Sequence, residues 1–393
     1  MIGFFTAILG TYIAVNSYLF VRLFQSLART GALRGAACGA LFFFAACFPA
    51  ARMLAGRLPD VIIRAFSAMG NLYIAPMLYG FLLTFLVDIF RALNSVFVIT
   101  HNPPPHSLGV RLRTVTAIFA ISLLITAIGA FNARIPVVKE VDVVLGNENN
   151  YVEPVSQSGS FLKIAVLSDI HLGGFAGAEY LMKLVEKTNA ASPDIVLLPG
   201  DIIESSRFFK DESATLEITD ALKSFQARLG VWGVLGNHDY YSGEFATEVF
   251  LSAAGIRLLR DEAVTLDEKF VLAGRNDRTA TFRGDGRKNL EDILSSVPLA
   301  YDGSRYPVVL MDHQPFDLHE AEECGVALQI SGHTHRGQLW PINFIVSRIY
   351  ERSFGEYKRG ATNYYISSGA SVWGPPIRTI GRQEIVIINL YDY

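Results

Sequence analysis

The sequence predicts a chain of two parts, a region of four apolar helices that ends near residue 134 and an α/β domain that follows it. Two observations support this division. The first 139 of 393 residues contain four long apolar stretches and only two acidic residues. From Phe161 onward, short runs of Val, Ile and Leu alternate with amphipathic stretches, which is typical of alternating strands and helices. A chain of this length is long enough for two domains.

Four stretches are long enough to cross a hydrocarbon core of about 30 Å. They are Ile2–Val21, Gly35–Met53, Leu72–Phe90 and Val115–Phe131. The second stretch is rich in Ala and Gly and contains Pro49, so a buried helix of a soluble domain is an alternative there. The first stretch has no basic segment before it and is too long for a signal peptide, so we expect it to be retained. We therefore predict a multi-pass protein of the cell membrane, with the lipid bilayer as its partner.

The charge is distributed unevenly along the chain. Residues 1–139 hold eleven Lys and Arg and two acids, whereas residues 140–393 hold 23 Lys and Arg and 35 acids. An acidic second part would repel polyanions, so we expect no nucleic-acid partner. If all four stretches cross the membrane, six basic residues of the first part lie on one side of it and five on the other. The side of the membrane on which the second part lies therefore stays open.

A short connecting region, residues 135–160, is expected between the two parts. Val137–Leu145 alternates apolar and charged residues, which predicts a half-buried strand. Gly146–Gly159 is polar and predicts a linker. The third segment, residues 161–393, would then form the α/β domain.

Five hydrophobic runs of this domain end in side chains that can bind metal ions. The motifs are Asp169-Ile-His171, Gly200-Asp201, Gly236-Asn237-His238-Asp239, Asp312-His313 and Gly332-His333-Thr334-His335. Loops that follow buried strands hold their side chains on a rigid scaffold beside a cleft. A single such motif is equally typical of a turn acid beside a surface histidine. Five motifs without cysteine indicate oxygen and imidazole ligands, which suit Mn, Fe or Zn.

This set of motifs resembles the calcineurin-like metallophosphoesterase superfamily, and the resemblance covers roughly Phe161 to Leu390. The tail from Ser368 to Arg378 is similar to a subgroup of membrane-attached enzymes and relatives of UDP-2,3-diacylglucosamine pyrophosphatases. The resemblance implies a four-layer α/β/β/α sandwich, in which two mixed sheets pack face to face with helices outside. Arg336 departs from the subgroup, which usually has a small residue there.

The resemblance also implies two divalent metal ions, Mn, Fe or Zn. It assigns seven ligands, with Asp169, His171 and His335 on the first ion, Asn237, His313 and His333 on the second, and Asp201 shared by both. A shared carboxylate is physically reasonable, because two cations about 3.5–4 Å apart repel each other. The two ions would activate water for in-line attack at phosphorus.

Six further residues are candidates for catalysis and substrate binding. His238 follows a ligand and is expected to protonate the leaving oxygen or bind the phosphoryl group, with Asp239 fixing its tautomer. The alternatives are a surface histidine and a turn residue. Arg336 and Arg378 are candidates for binding a phosphate, as are Arg275 and Arg278, although most arginines are solvated surface groups.

The segment Leu339–Val346 is unusually apolar for a stretch just past an active site. Ordinary core is one interpretation, and the other is a rim that receives an acyl chain or rests on a bilayer.

The leading interpretation is a membrane-anchored binuclear metallophosphoesterase that hydrolyses a phosphoester or pyrophosphate bond in a lipid-linked substrate. One alternative is a UDP-2,3-diacylglucosamine diphosphatase of lipid A synthesis, which would have to face the cytoplasm. A different class, a non-catalytic receptor or scaffold, would be expected to have lost ligands, and none is missing.

Overall fold

A computed structural model describes residues 2–97, 99, 107–145, 160–284, 286–297 and 305–391, without the side chains of residues 2–5. The chain divides into two compact units. One contains residues 1–131 with Pro375–Thr379, and the other contains residues 132–374 and 380–393. The predicted linker at residues 146–159 lies outside the described residues.

The first unit contains four long helices, each at the place of a predicted span. They are α1 (Ile2–Ser26), α2 (Ala32–Met53), α3 (Asp60–Phe97) and α4 (Leu108–Asn132). All four are long and apolar enough to cross a membrane. With 38 residues, α3 is about 57 Å long and exceeds the predicted span at both ends, because the helix continues past charged residues such as Asp60, Arg64 and Arg91.

Two polar clusters join helices of this unit. Asp88 of α3 lies 2.7 Å from the Arg22 guanidinium of α1 and accepts a hydrogen bond from Tyr18. The Tyr73 hydroxyl donates to Asn16 Oδ1 over 2.6 Å. These pairings satisfy polar groups that would be costly to leave unpaired in an apolar bundle.

The second unit is built on two six-stranded mixed sheets. The strands are β1 (Val137–Val144), β2 (Leu162–Val166), β3 (Ile195–Pro199), β4 (Val231–Val234), β5 (Ile256–Leu258), β6 (Glu262–Leu266), β7 (Phe270–Gly274), β8 (Val308–Met311), β9 (Leu328–Ser331), β10 (Gly355–Arg359), β11 (Thr362–Ile366) and β12 (Glu384–Tyr391). The first sheet has the order β1-β12-β2-β3-β4-β5 and the second β10-β11-β9-β8-β7-β6. In the first sheet β2 to β5 are parallel, and in the second β7, β8, β9 and β11 are parallel.

The two sheets pack face to face, because buried residues of both belong to one core. Val166 and Leu197 of the first sheet pack with Leu272, Met311 and Ile330 of the second. This interface is apolar and fully buried, as expected for the centre of a sandwich.

Helices cover the outer face of each sheet. The helices of this unit are α5 (Ala178–Ala190), α6 (Glu212–Lys223), α7 (Asn237–Ala253), α8 (Arg278–Arg283), α9 (Leu290–Ser295), α10 (Leu318–Glu323) and α11 (Ile342–Ile349). Leu184 of α5 and Leu251 of α7 pack in a cluster with Val196 of the first sheet. Leu290 of α9 and Leu318 of α10 pack with the second sheet. The four-layer α/β/β/α sandwich is therefore confirmed.

The strand predicted within the connecting region belongs to the first sheet. β1 pairs in parallel with β12 over its whole length, from Val137 beside Glu384 to Val144 beside Tyr391. Val141 and Val143 enter the core between the sheets.

Candidate metal centre

The predicted metal ligands all follow the carboxyl ends of parallel strands. Five strands contribute, and each is buried along its full length except at one residue of β2. The ligands are Asp169 and His171 after β2, Asp201 after β3, Asn237 after β4, His313 after β8, and His333 and His335 after β9. Parallel strands present their carboxyl ends at one edge of a sheet, so the packed sheets bring these loops together.

Six of the seven ligands, together with His238, form three overlapping groups. Within each group the candidate ligand atoms lie within 4.8 Å of one another. The groups are Asp169 with His171 and His335, then His171 with Asp201 and His238, then Asp201 with His313 and His333. Asp201 belongs to two of the groups. Its Oδ2 lies 3.3 Å from His313 Nε2 and 3.9 Å from His171 Nε2.

The candidate ligand atoms face one another at short distances, and some of them make no hydrogen bond. This arrangement suits cations bound between them. His171 Nε2 faces His335 Nε2 at 3.0 Å, and Asp169 Oδ1 lies 3.5 Å from the same His335 nitrogen. Within the described residues, the buried Asn237 Oδ1 and His333 Nδ1 have no hydrogen-bond partner. Buried polar atoms are rarely left unpaired, so their position beside carboxylates and imidazoles supports metal binding here.

Contacts on the far side of two rings fix which nitrogen faces the cluster. His313 Nδ1 lies 2.8 Å from the carbonyl oxygen of Pro199. His171 Nδ1 lies 2.8 Å from Glu204 Oε2. A proton between His313 Nδ1 and the Pro199 oxygen leaves Nε2 as a lone-pair donor toward the cluster, which is the usual arrangement of metal-binding histidines. The Glu204 carboxylate favours the same tautomer of His171 by its charge beside Nδ1.

The local backbone is shaped by the demands of the cluster. Asp169, His171, Asp201, His333 and His335 all have φ between 48° and 68°. Side chains other than glycine rarely adopt this left-handed region, and each such residue costs on the order of 1 kcal/mol. Two glycines permit close approach, since a Cβ at Gly236 would lie 2.3 Å from Asp201 Oδ1 and one at Gly332 1.8 Å from Ser168 Oγ.

The carboxylates make the cluster attract positive charge. Burial lowers the pKa of His171, but Glu204 and the aspartates outweigh it and raise that pKa to about 9. The pKa of His313 is likewise lowered by burial but raised overall, well above its usual value, by Asp201 and Asp169. Without metal ions, the carboxylates favour a positive charge on each ring. Divalent cations bound at the cluster would supply this positive charge in place of the protons.

His238 lies at the edge of the cluster. Its backbone N–H donates to Asp201 Oδ1 over 2.7 Å, which ties the residue to the shared carboxylate. Its ring Nδ1 lies 3.2 Å from the Glu204 carbonyl oxygen and 3.5 Å from Glu204 Oε2. Two exposed aromatic residues flank the ring, with the centroids of Tyr241 and Trp373 each 5.9 Å away.

The prediction that the Asp239 carboxylate contacts the His238 ring is wrong. The Asp239 carboxylate is fully buried and accepts hydrogen bonds from the backbone N–H groups of Gly236, Ile202 and Ile203. It therefore closes the first turn of α7 and holds the loop after Asp201. Burial and the nearby Asp201 raise the pKa of Asp239 to about 7.

Glu204 takes the place expected for Asp239, and sequence reasoning missed it. Its carboxylate lies 2.8 Å from His171 Nδ1 and 3.5 Å from His238 Nδ1. The signal available in the sequence was an acid three residues after Asp201, at the end of the same buried run. Only the course of the loop shows that this acid turns back toward the rings.

We expect Glu204→Gln to weaken Mn²⁺ binding about 10- to 100-fold, because the neutral amide removes the negative charge that lies 2.8 Å from His171 Nδ1 and makes this imidazole a stronger ligand. Calorimetric titration of the metal-free protein measures this change without reference to turnover. Glu179→Gln is a matched control, since Glu179 is exposed and pairs with Lys183 on α5. Unchanged affinity in Glu204→Gln would contradict the role assigned to this carboxylate.

The candidate arginines have different surroundings. Arg275 is buried against Asp312 and Glu320, and the exposed Arg278 pairs with Asp317. Arg336 follows His335 directly, and its guanidinium stacks over the Phe354 ring at 4.3 Å. Arg378 is fully buried in the segment Pro375–Thr379, which groups with the helical unit.

Comparison with known proteins supports the resemblance to the calcineurin-like phosphoesterases. Residues 162–337 match the calcineurin-like phosphoesterase family. An uncharacterized metallophosphoesterase of Campylobacter jejuni is 32% identical over 287 residues, which cover 70% of each chain. A metallophosphoesterase of Helicobacter pylori is 33% identical, covering 58% of this chain and 60% of its own.

A vertebrate relative is named as a transmembrane protein. The transmembrane protein with metallophosphoesterase domain of Danio rerio is 30% identical, over 69% of this chain and 62% of its own length. Together with four apolar helices, this similarity indicates a membrane protein. The chain belongs to the calcineurin-like phosphoesterases, hydrolases of phosphoester bonds that use a dinuclear metal centre.

Proposed function

We propose that this protein is a multi-pass enzyme of the cell membrane that uses two divalent metal ions to hydrolyse a phosphoester or pyrophosphate bond in a lipid-linked substrate. The observation that carries this proposal is the convergence of all the predicted ligand loops at one edge of the packed sheets. A non-catalytic scaffold would not need this complete and strained cluster.

The proposed ligand roles follow the three groups. Asp169, His171 and His335 would hold one ion, and Asn237, His313 and His333 the other. Asp201 would be shared, which agrees with its short distances to rings of both groups. When bound, two such ions neutralise phosphoryl charge and lower the pKa of water near phosphorus.

The protein's own proton donor would be His238. Glu204 faces its Nδ1, so Nε2 is the nitrogen left to carry a proton to the leaving oxygen. The hydrogen bond from the His238 backbone to Asp201 keeps the ring beside the cluster. Arg336, which directly follows the ligand His335, stays in the proposal as a residue that selects the substrate, whereas the Arg378 side chain is fully buried and offers no surface to a substrate.

A lipid-linked substrate is supported by the way the two parts of the chain are joined. Only four residues separate the end of α4 from β1, so the chain bridges at most about 18 Å at this point. A UDP-2,3-diacylglucosamine diphosphatase activity is one form of this proposal, and it requires the domain to face the cytoplasm.

We expect the full-length protein in detergent micelles to hydrolyse bis-p-nitrophenyl phosphate with Mn²⁺. Removing the metal with chelator should lower the rate at least about 100-fold, since the metal ions supply several kcal/mol of charge stabilisation. Release of p-nitrophenolate measures the rate, and adding Mn²⁺ back should restore it. Full activity in protein that elemental analysis shows to be metal-free would refute the two-metal proposal.

A further inference from the structure

The apolar segment Leu339–Val346 is mostly exposed. Leu339 is buried, but none of the eight residues of α11 is. Phe344, Ile345 and Ile349 are 60%, 62% and 57% exposed, and Trp340 just before the helix is 48% exposed. The interpretation of this segment as ordinary core is therefore wrong beyond Leu339.

Five residues of α11 are exposed, namely Ser347 and four others that form one continuous face of the helix. At about 100° per residue, Phe344, Arg348, Ile345 and Ile349 follow one another around an arc of about 140°. The face thus combines three large apolar side chains with a single cation. We call these four residues, together with Trp340, the α11 face.

The helix that carries this face is attached directly to a metal-ligand loop. It begins seven residues after His335, and the turn between them is tight, since a Cβ at Gly337 would lie 2.6 Å from the Asn343 backbone. At the other end of the helix, the Tyr350 ring lies 6.1 Å from the ring of His333. Whatever binds the α11 face is therefore held beside the candidate metal centre.

We propose that the α11 face inserts into the surface of the lipid bilayer that holds the four apolar helices. The inference rests on the membrane attachment in the proposed function and adds a second contact, made by the catalytic domain itself. It also gives a reason for a lipid substrate, because the phosphoester of a bilayer lipid would be presented beside the ligand loop.

The composition of the face matches a lipid surface. Aliphatic and Phe side chains bury in the region between headgroups and acyl chains, and Trp favours the same depth because its ring is amphipathic. The Arg348 side chain can extend its guanidinium to lipid phosphates while its methylenes stay in the apolar layer. The short connection between α4 and β1 keeps this domain within reach of the bilayer.

The test places a fluorescent label on the α11 face of the full-length protein. Cys38, Cys47 and Cys324 are first replaced by Ala or Ser, and Ile345→Cys is labelled with nitrobenzoxadiazole. The protein is reconstituted into vesicles of phosphatidylcholine and phosphatidylglycerol that contain brominated acyl chains, which quench only fluorophores inside the bilayer. Leu216→Cys is the matched control, because Leu216 on α6 is 66% exposed and equally apolar.

We expect brominated lipid to quench the label at 345 by about half or more and to leave the label at 216 nearly unchanged. In a background carrying Arg348→Glu, quenching at 345 should decrease in vesicles with anionic lipid. Absence of quenching at 345, or equal quenching at both positions, would overturn the proposal. The readout needs neither metal nor turnover, so a failure here is distinguishable from failure of the proposed hydrolase activity.

Discussion

Asp201→Asn should abolish metal binding and activity together, with kcat/KM lower by at least about 1,000-fold. The Asp201 carboxylate is buried between His313 and His171 and also accepts the His238 backbone N–H. An amide keeps the shape but removes the negative charge shared by two groups of ligands. Without that charge, two cations would repel each other with nothing between them.

Elemental analysis after gel filtration, combined with kcat/KM for bis-p-nitrophenyl phosphate, checks this prediction. Asp261→Asn is a suitable control, since Asp261 is also buried but accepts the backbone N–H groups of Asn276 and Lys288, neither of which is a metal ligand. A melting curve separates loss of metal from loss of the fold. A folded Asp201→Asn protein with two tightly bound metal ions would refute the bridging role.

His238→Ala should lower kcat about 100- to 10,000-fold while two metal ions stay bound. The bond to Asp201 comes from the His238 backbone, which alanine retains, so the ligand loop should keep its geometry. What is lost is the ring beside Glu204 that can carry a proton. The variant therefore separates proton donation from metal binding.

The dependence on leaving group tests this role further. Loss of a proton donor should slow substrates with alkyl leaving groups more than those that release p-nitrophenolate, which needs little protonation. His319→Ala serves as the control, because His319 lies exposed on α10. If His238→Ala loses a metal equivalent, or slows both kinds of substrate equally, His238 is not the proton donor.

The sequence by itself determined the class of protein. Each ligand motif directly follows a short buried strand, so strand pattern and metal chemistry could be read together from neighbouring residues. The four apolar helices were predicted equally well, because the length needed to cross a bilayer is a local property. Family membership follows from the same local motifs.

The tertiary structure decided which side chains meet across loops. Asp239 is adjacent to His238 in sequence, yet its carboxylate turns to three backbone N–H groups, while Glu204 reaches both His171 and His238. Adjacent residues at a helix start point in different directions, so sequence proximity cannot decide which acid contacts a ring. Only the folded loop does.

The exposure of α11 was also settled only by the fold. An apolar octapeptide has the same composition whether it lies in a core or on a surface, and periodicity alone does not separate the two. No residue of α11 is buried, so the hydrophobic cores around the two sheets form without this helix. Phe344, Ile345 and Ile349 are exposed beside the metal-ligand loop. Their exposure depends on how distant parts of the chain pack, which a local sequence pattern does not encode.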